Sequence, residues 1–132
     1  MDKFNKMLAS AEPMVLSIFR IMTGLLLFQY GVAKIFKYPV LPYFASLPPL
    51  IAVAGAIELV LGALLILGLW TRPVAFILSG EMAFAYFIGH FPKGFHPLIN
   101  GGTLAALYCF TFLYLAAAGP GPWSVDAAMK KA

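Results

Sequence analysis

Charge is what this sequence has least of. Asp, Glu, Lys and Arg together make up 11% of its 132 residues, and only five of them are acidic; an ordinary globular domain carries about 25%. Cysteine occurs once, as Cys109, which excludes an intrachain disulfide, a CxxC redox pair and an all-thiolate zinc site. There is no glycine-rich phosphate loop and no Ser-His-Asp set in a catalytic context. The nine Lys and Arg are scattered, so a pI near 9.3 does not describe a nucleic-acid module.

Apolar residues fill the space that charge leaves. They reach 62% of the chain, with a mean hydropathy of +0.91. A soluble chain this short has too much surface per unit volume to hide so many apolar side chains. The composition therefore excludes a soluble enzyme and a disordered segment, and points to a bilayer as the solvent.

Proline, glycine and lysine divide the chain into four apolar stretches of about 17 to 24 residues, at about 13–36, 50–69, 73–89 and 101–118, which brackets the roughly 20 that cross the hydrocarbon core as a helix. Their length and their Leu and Ala content lack the alternation of a membrane barrel. The first stretch exceeds a signal-peptide core, contains Arg20 and has no small-x-small cleavage site, so it reads as a retained span. The expected fold class is all-α, an integral membrane four-transmembrane-helix bundle, with residues 1–132 as a single membrane domain. An even number of spans puts Lys3, Lys6, Arg72, Lys130 and Lys131 on one side, and Lys34, Lys37 and Lys93 on the other. Five against three places both termini in the cytoplasm. Trp70 and Trp123 then share the inner interface. The loop from Lys37 to Pro49, with Tyr38, Tyr43 and Phe44, is expected in the outer headgroup layer.

Three charges fall inside the spans. Arg20 lies roughly 10 Å into the first helix and Glu81 roughly 12 Å into the third, both from the inner side, while Glu58 lies roughly 17 Å from the inner end of the second. An ionisable group at such depth costs at least ~2.5–3.5 kcal/mol and must face the bundle. Depth pairs Arg20 with Glu81 and sets Glu58 about one turn further out. At 100° per residue, Gly24, Gly31 and Lys34 share the face of Arg20. Ile51, Ala54, Gly55, Gly62 and Leu65 flank Glu58, and Val74, Ile77, Ala85 and Ile88 flank Glu81. Gln29 points the opposite way from Arg20. One arginine beside two carboxylates leaves one glutamate to hold a proton. That suits a proton relay or a ligand site, and equally a structural triad that fixes helix register. Arg20, Glu58, Glu81 and Lys34 are thus the candidates for ligand or proton handling.

A second polar set gathers at the outer face in Lys34, His90, Lys93, His96 and Asn100. Histidine titrates near neutral pH and binds metals. Two histidines on one short loop with a buried thiol make no usual zinc or haem site, so no metal is expected. His90, His96 and Asn100 remain candidates for a quinone headgroup or a partner protein, or are interfacial loop side chains.

In order along the chain, Arg20, Gly24, Gly31 and Lys34, then Gly55-Ala56-Ile57-Glu58-Leu59-Val60-Leu61-Gly62, resemble the DoxX family of small bacterial membrane proteins. So do Gly68-Leu69-Trp70-Thr71-Arg72, His96-Pro97-Leu98-Ile99-Asn100-Gly101-Gly102 and the tail Gly119-Pro120-Gly121-Pro122-Trp123-Ser124-Val125-Asp126. The resemblance implies a four-helix protein of the cell inner membrane. It also implies a link to quinone-reducing thiosulfate oxidation and to complexes that handle thiols and oxidants. Arg20, Lys34, Glu58, Thr71, Arg72 and Asp126 carry over as family positions. No cofactor is intrinsic to the chain, and quinone is the one the resemblance suggests. Three readings follow: a quinone-interacting subunit of a membrane oxidoreductase complex, an anchor or assembly protein, or a small proton or solute transporter. Expected partners are the lipid bilayer, a redox protein and a second copy of the chain as a homodimer, with no nucleic acid.

Overall fold

The computed structural model describes residues 1–38 and 48–131. Among them there is no strand, and the fold is all-α. The helices are α1 (Asp2–Ser10), α2 (Glu12–Phe36), α3 (Pro49–Leu67), α4 (Thr71–Phe84), α5 (Pro97–Asn100), α6 (Thr103–Ala118) and α7 (Val125–Lys131). Beyond Phe84, α4 runs on through a π-helical turn, Ala85–His90, and a 3-10 turn, Phe91–Lys93. The expected loop position of Tyr43 and Phe44 lies outside the described residues.

Among the described residues three stretches are long and apolar enough to cross a membrane: Glu12–Phe36, Pro49–Leu67 and Thr71–Lys93. The third outruns its expected end at Gly89 because the π turn carries the helix past that glycine. The fourth stretch is a helix of 16 residues, about 24 Å long and so short of the roughly 30 Å hydrocarbon core. Its start moves from Gly101 to Thr103 because Gly101 takes a left-handed conformation (φ 75°) as the cap of α5. Periodicity over long windows also overlooks α1 and α7, which have nine and seven residues.

The chain divides into two compact units, Met1–Thr71 with Gly119–Ala132, and Arg72–Ala118. The first is organised around the antiparallel pair of α2 and α3. Gly24 and Gly31 of α2 meet Gly62 and Gly55 of α3, each pair of glycines seven residues apart along its helix. A Cβ at Gly31 would stand 2.6 Å from the Leu59 nitrogen and 2.9 Å from its Cα. Backbone thus lies on backbone, the close approach that small residues allow where lipid supplies no hydrophobic drive. Ser17, Arg20, Thr23, Leu27, Glu58 and Leu65 are buried along the same seam. The faces expected for Arg20 and Glu58 are the ones observed, and Gln29 is exposed as expected.

In the second unit α4 buries Val74, Ala75, Leu78, Ser79 and Met82, while Ile77 and Ile88 are exposed. The buried face is therefore rotated from the one expected around Glu81. The small side chains of Ala75 and Ser79 allow close contact, and the Ser79 hydroxyl donates to the Cys109 carbonyl of α6 at 2.7 Å. On α6 the rings of Tyr108 and Phe112 stack with centroids 5.4 Å apart, and Phe112 and Leu115 are fully buried.

Candidate functional site

The first constellation begins where α3 ends. Gly68 adopts a left-handed conformation (φ 71°) and returns its N–H to α3, with Leu69 N donating to Leu64 O. The final carbonyls of a helix have no partner within it, and in a bilayer water does not supply one. Arg20 supplies them. Its side chain is wholly buried, with Nε donating to Leu65 O at 3.0 Å and Nη2 to Ile66 O at 3.4 Å. The guanidinium also reaches the tail, where Nη1 donates to Pro120 O and Nη2 to Trp123 O at 2.7 Å. Ser17, one turn before Arg20, accepts from Trp123 N at 3.1 Å. The hydrogen bonds of the guanidinium thus go to four carbonyls. A cation at the negative end of α3 also complements the helix dipole.

The same logic runs through the adjacent charges. The Asp126 carboxylate accepts from Trp70 N at 2.8 Å and Thr71 N at 2.9 Å, where α4 starts. Asp126 N donates back to Gly68 O at 2.9 Å. In the other unit Arg72 Nη1 donates to Ala116 O at 3.3 Å and Ala117 O at 2.5 Å, the last carbonyls of α6. Anion at an N-terminus and cations at C-termini are the favourable signs.

Burial alone would raise the Asp126 carboxyl, but the N–H groups of Thr71 and Trp70 and the nearby Arg20 charge outweigh it and hold it below the ordinary carboxylate value. Its contribution is therefore complete above the unfolded-state value of about 3.9 and is lost as pH falls through the lower folded-state value. Asp126→Asn is expected to lower stability near neutral pH by about 1 kcal/mol, the usual worth of a cap. The gap between variant and parent should narrow as pH drops below about 4. Thermal unfolding in detergent at neutral and acid pH measures both; a gap that does not change with pH would contradict the assignment.

The second constellation lies within the α2–α3 seam. Lys34 Nζ stands 2.9 Å from both Oε1 and Oε2 of Glu58. The Glu58 side chain is 2% exposed and that of Lys34 16%. Glu58 sits about 14 Å from the start of α3, near mid-span. The structure therefore gives Glu58 a lysine partner from the last turn of α2 rather than a share of Arg20. Glu81 is half-buried on α4 in the second unit.

The third constellation is at the end of α4. Asn100 is 3% exposed. Its Nδ2 donates to Gly94 O at 2.9 Å and to Tyr86 Oη at 3.2 Å, and its Oδ1 accepts from Gly102 N at 2.8 Å. His90 Nδ1 lies 3.2 Å from Asn100 O. A carbonyl only accepts, so Nδ1 is the donor in this contact, which leaves Nε2 for another partner. The π turn brings Tyr86 and His90 onto this asparagine. Phe87, Phe91 and Phe95 follow in edge and tilted contacts, all exposed. His96 is exposed and packs its ring on Phe95; its link to Asn100 is through the backbone, where its carbonyl accepts from Asn100 N at 2.9 Å. Among the described residues no group of three or more His, Cys, Asp or Glu is placed to hold a metal.

These arrangements can be set beside known proteins. The DoxX family model matches residues 15–91, which is more than half of the chain. The chain belongs to the DoxX family. A Haemophilus influenzae protein named only "Uncharacterized protein" is 44% identical over 121 residues, covering 87% of this chain and 90% of its own. No solved structure matches. Within the DoxX segment lie Arg20, Lys34, Glu58, Thr71, Arg72, Glu81 and His90. Asp126 and the Gly119–Trp123 tail fall beyond it, yet they complete the bonds of Arg20 and the start of α4. Arg20, Arg72 and Asp126 thus serve helix ends. Tyr86, which sequence reasoning did not single out, joins the Asn100 network. Its four-residue spacing from His90 is the one signal that pointed to it.

Proposed function

We propose that this DoxX protein is a quinone-interacting, non-catalytic subunit of a redox complex in the bacterial cytoplasmic membrane, with both termini in the cytoplasm. The observation that carries the reading is the Asn100-centred network. The Tyr86 oxygen accepts from Asn100, so its own proton is aimed elsewhere, and His90 presents Nε2. A Tyr86 hydroxyl able to donate to a quinone carbonyl and a His90 Nε2 able to accept from the quinol hydroxyl, one helical turn apart beside exposed phenyl rings, suit a quinone–quinol headgroup. A bound quinone supplies two-electron, two-proton carriage. With one cysteine and no thiol pair in the sequence, a dithiol centre belongs to a partner. The orientation is supported by the basic residues. Lys3, Lys6, Arg72, Lys130 and Lys131 on one side outnumber Lys34, Lys37 and Lys93 on the other.

The test is purification in mild detergent, followed by mass spectrometry for extracted quinone and co-purifying proteins. Quinone should be present and should fall severalfold per folded molecule in the Tyr86→Phe/His90→Phe variant. Finding neither quinone nor a partner would overturn the reading. The complete internal pairing of Arg20 and Glu58 favours a second reading, a membrane anchor or assembly subunit. A partner that co-purifies without quinone would select it.

A further inference from the structure

Helix α1 is unlike every other helix of nine or more residues here, because none of its residues is buried. Its apolar residues are nonetheless ordered. At 100° per residue Met1, Phe4, Met7, Leu8 and Ala11 fall within an arc of about 120°, and Asp2, Lys3, Asn5, Lys6 and Ser10 occupy the remainder. An amphipathic helix with its apolar face uncovered needs an occupant for that face. Three observations identify it.

The first is the tether. A single residue, Ala11, separates α1 from α2, and α2 is long and apolar enough to span a membrane. Leu8 is then only about 8 Å along the helix from Pro13, comparable to the headgroup layer on one side of a bilayer, about 5–7 Å. The second is phase. Ala11 has helical dihedrals (φ −83°, ψ −4°), and Val15 N donates to Ala11 O, so the helical register carries from α1 into α2. On that common register Val15, Ile18, Met22 and Leu26, all exposed on α2, fall in the same arc as Phe4, Met7 and Leu8. The uncovered face of α1 continues the stripe that α2 offers to lipid. The third is charge. Lys3 and Lys6 outnumber Asp2 on the polar face, and long lysine stems beside an apolar face keep their ammonium groups in the headgroup layer.

We infer that α1 lies in the headgroup layer of a bilayer containing anionic lipid, with Phe4, Met7 and Leu8 turned to the acyl chains and Lys3 and Lys6 to the lipid headgroups.

The experiment uses the full chain with Cys109→Ala, one chain per nanodisc, in phosphatidylcholine with and without phosphatidylglycerol. Single nitroxide labels are placed through Phe4→Cys, Asn5→Cys, Lys6→Cys and Leu8→Cys, with Leu26→Cys as the control for a correctly inserted α2. Labels at 4 and 8 should be severalfold more accessible to oxygen than to a water-soluble nickel chelate, and labels at 5 and 6 the reverse. The contrast should weaken when phosphatidylglycerol is omitted. Equal nickel accessibility at all four positions, while the label at 26 stays in lipid, would overturn the assignment. So would a contrast that appears only when two chains share a disc, since a second copy would then cover the face. A contrast indifferent to phosphatidylglycerol would overturn the anionic-lipid part.

Discussion

Arg20→Met should unfold a large fraction of the protein at temperatures the parent tolerates. The substitution keeps an apolar stem but withdraws every donor from Leu65, Ile66, Pro120 and Trp123. Leu65 O retains the N–H of Gly68, and the other three carbonyls lose the guanidinium that serves them. A buried carbonyl left unsatisfied costs about 1–3 kcal/mol, so partial relaxation still leaves a loss of about 3–5 kcal/mol. Arg20→Lys should recover little, because one ammonium with three donors cannot reproduce a planar fork that serves four acceptors. Unfolding by denaturing detergent in mixed micelles reads both variants. Quinone content per folded molecule should stay level, which separates a structural role from ligand contact. A lysine variant as stable as the parent would contradict this account of the site.

The ion pair of the α2–α3 seam gives the second large effect, and its sign depends on how many partners are removed. Glu58→Leu leaves the Lys34 ammonium facing the seam, and Lys34→Leu leaves a carboxylate that is almost fully buried. Breaking such a pair from one side costs about 3–5 kcal/mol, with the smaller loss expected for Glu58→Leu because Lys34 retains some exposure. The Lys34→Leu/Glu58→Leu double variant should return to within about 1 kcal/mol of the parent or exceed it, since two desolvation penalties vanish with the pair. A complete cycle measured in the same detergent shows the result as strong non-additivity. A double variant as unstable as the sum of the singles would mean that each residue acts separately.

Both effects show what sequence could and could not convey. The α2–α3 seam was legible because glycines at 24, 31, 55 and 62 and charges at 20 and 58 fall on inward faces of two regular helices. Pairing was less legible. Depth alone matched Arg20 to a carboxylate, whereas the guanidinium answers the orphan carbonyls of a helix end and a tail about a hundred residues later. Such acceptors belong to the backbone and leave no mark in residue type. Lys34 was seen on the face of Arg20, but its reach to Glu58 depends on how Gly55 lets α3 approach the lysine stem. Near the end of α4 the π turn shifts the register, and a constant 100° wheel therefore placed Ile88 inward when it is exposed. The two shortest terminal helices escaped because a stripe of two turns is no longer than the windows that detect it.

The tail bonds of Arg20 also set an order of events during synthesis. Pro120 and Trp123 leave the ribosome 100 and 103 residues after Arg20, which at about 5–20 residues per second is a delay of roughly 5–20 s. The two α3 carbonyls, 45 and 46 residues behind the arginine, follow it first, and for the rest of that interval it has nothing yet from the tail. The Arg20 site is therefore complete only once the segment before α7 has followed it out of the ribosome.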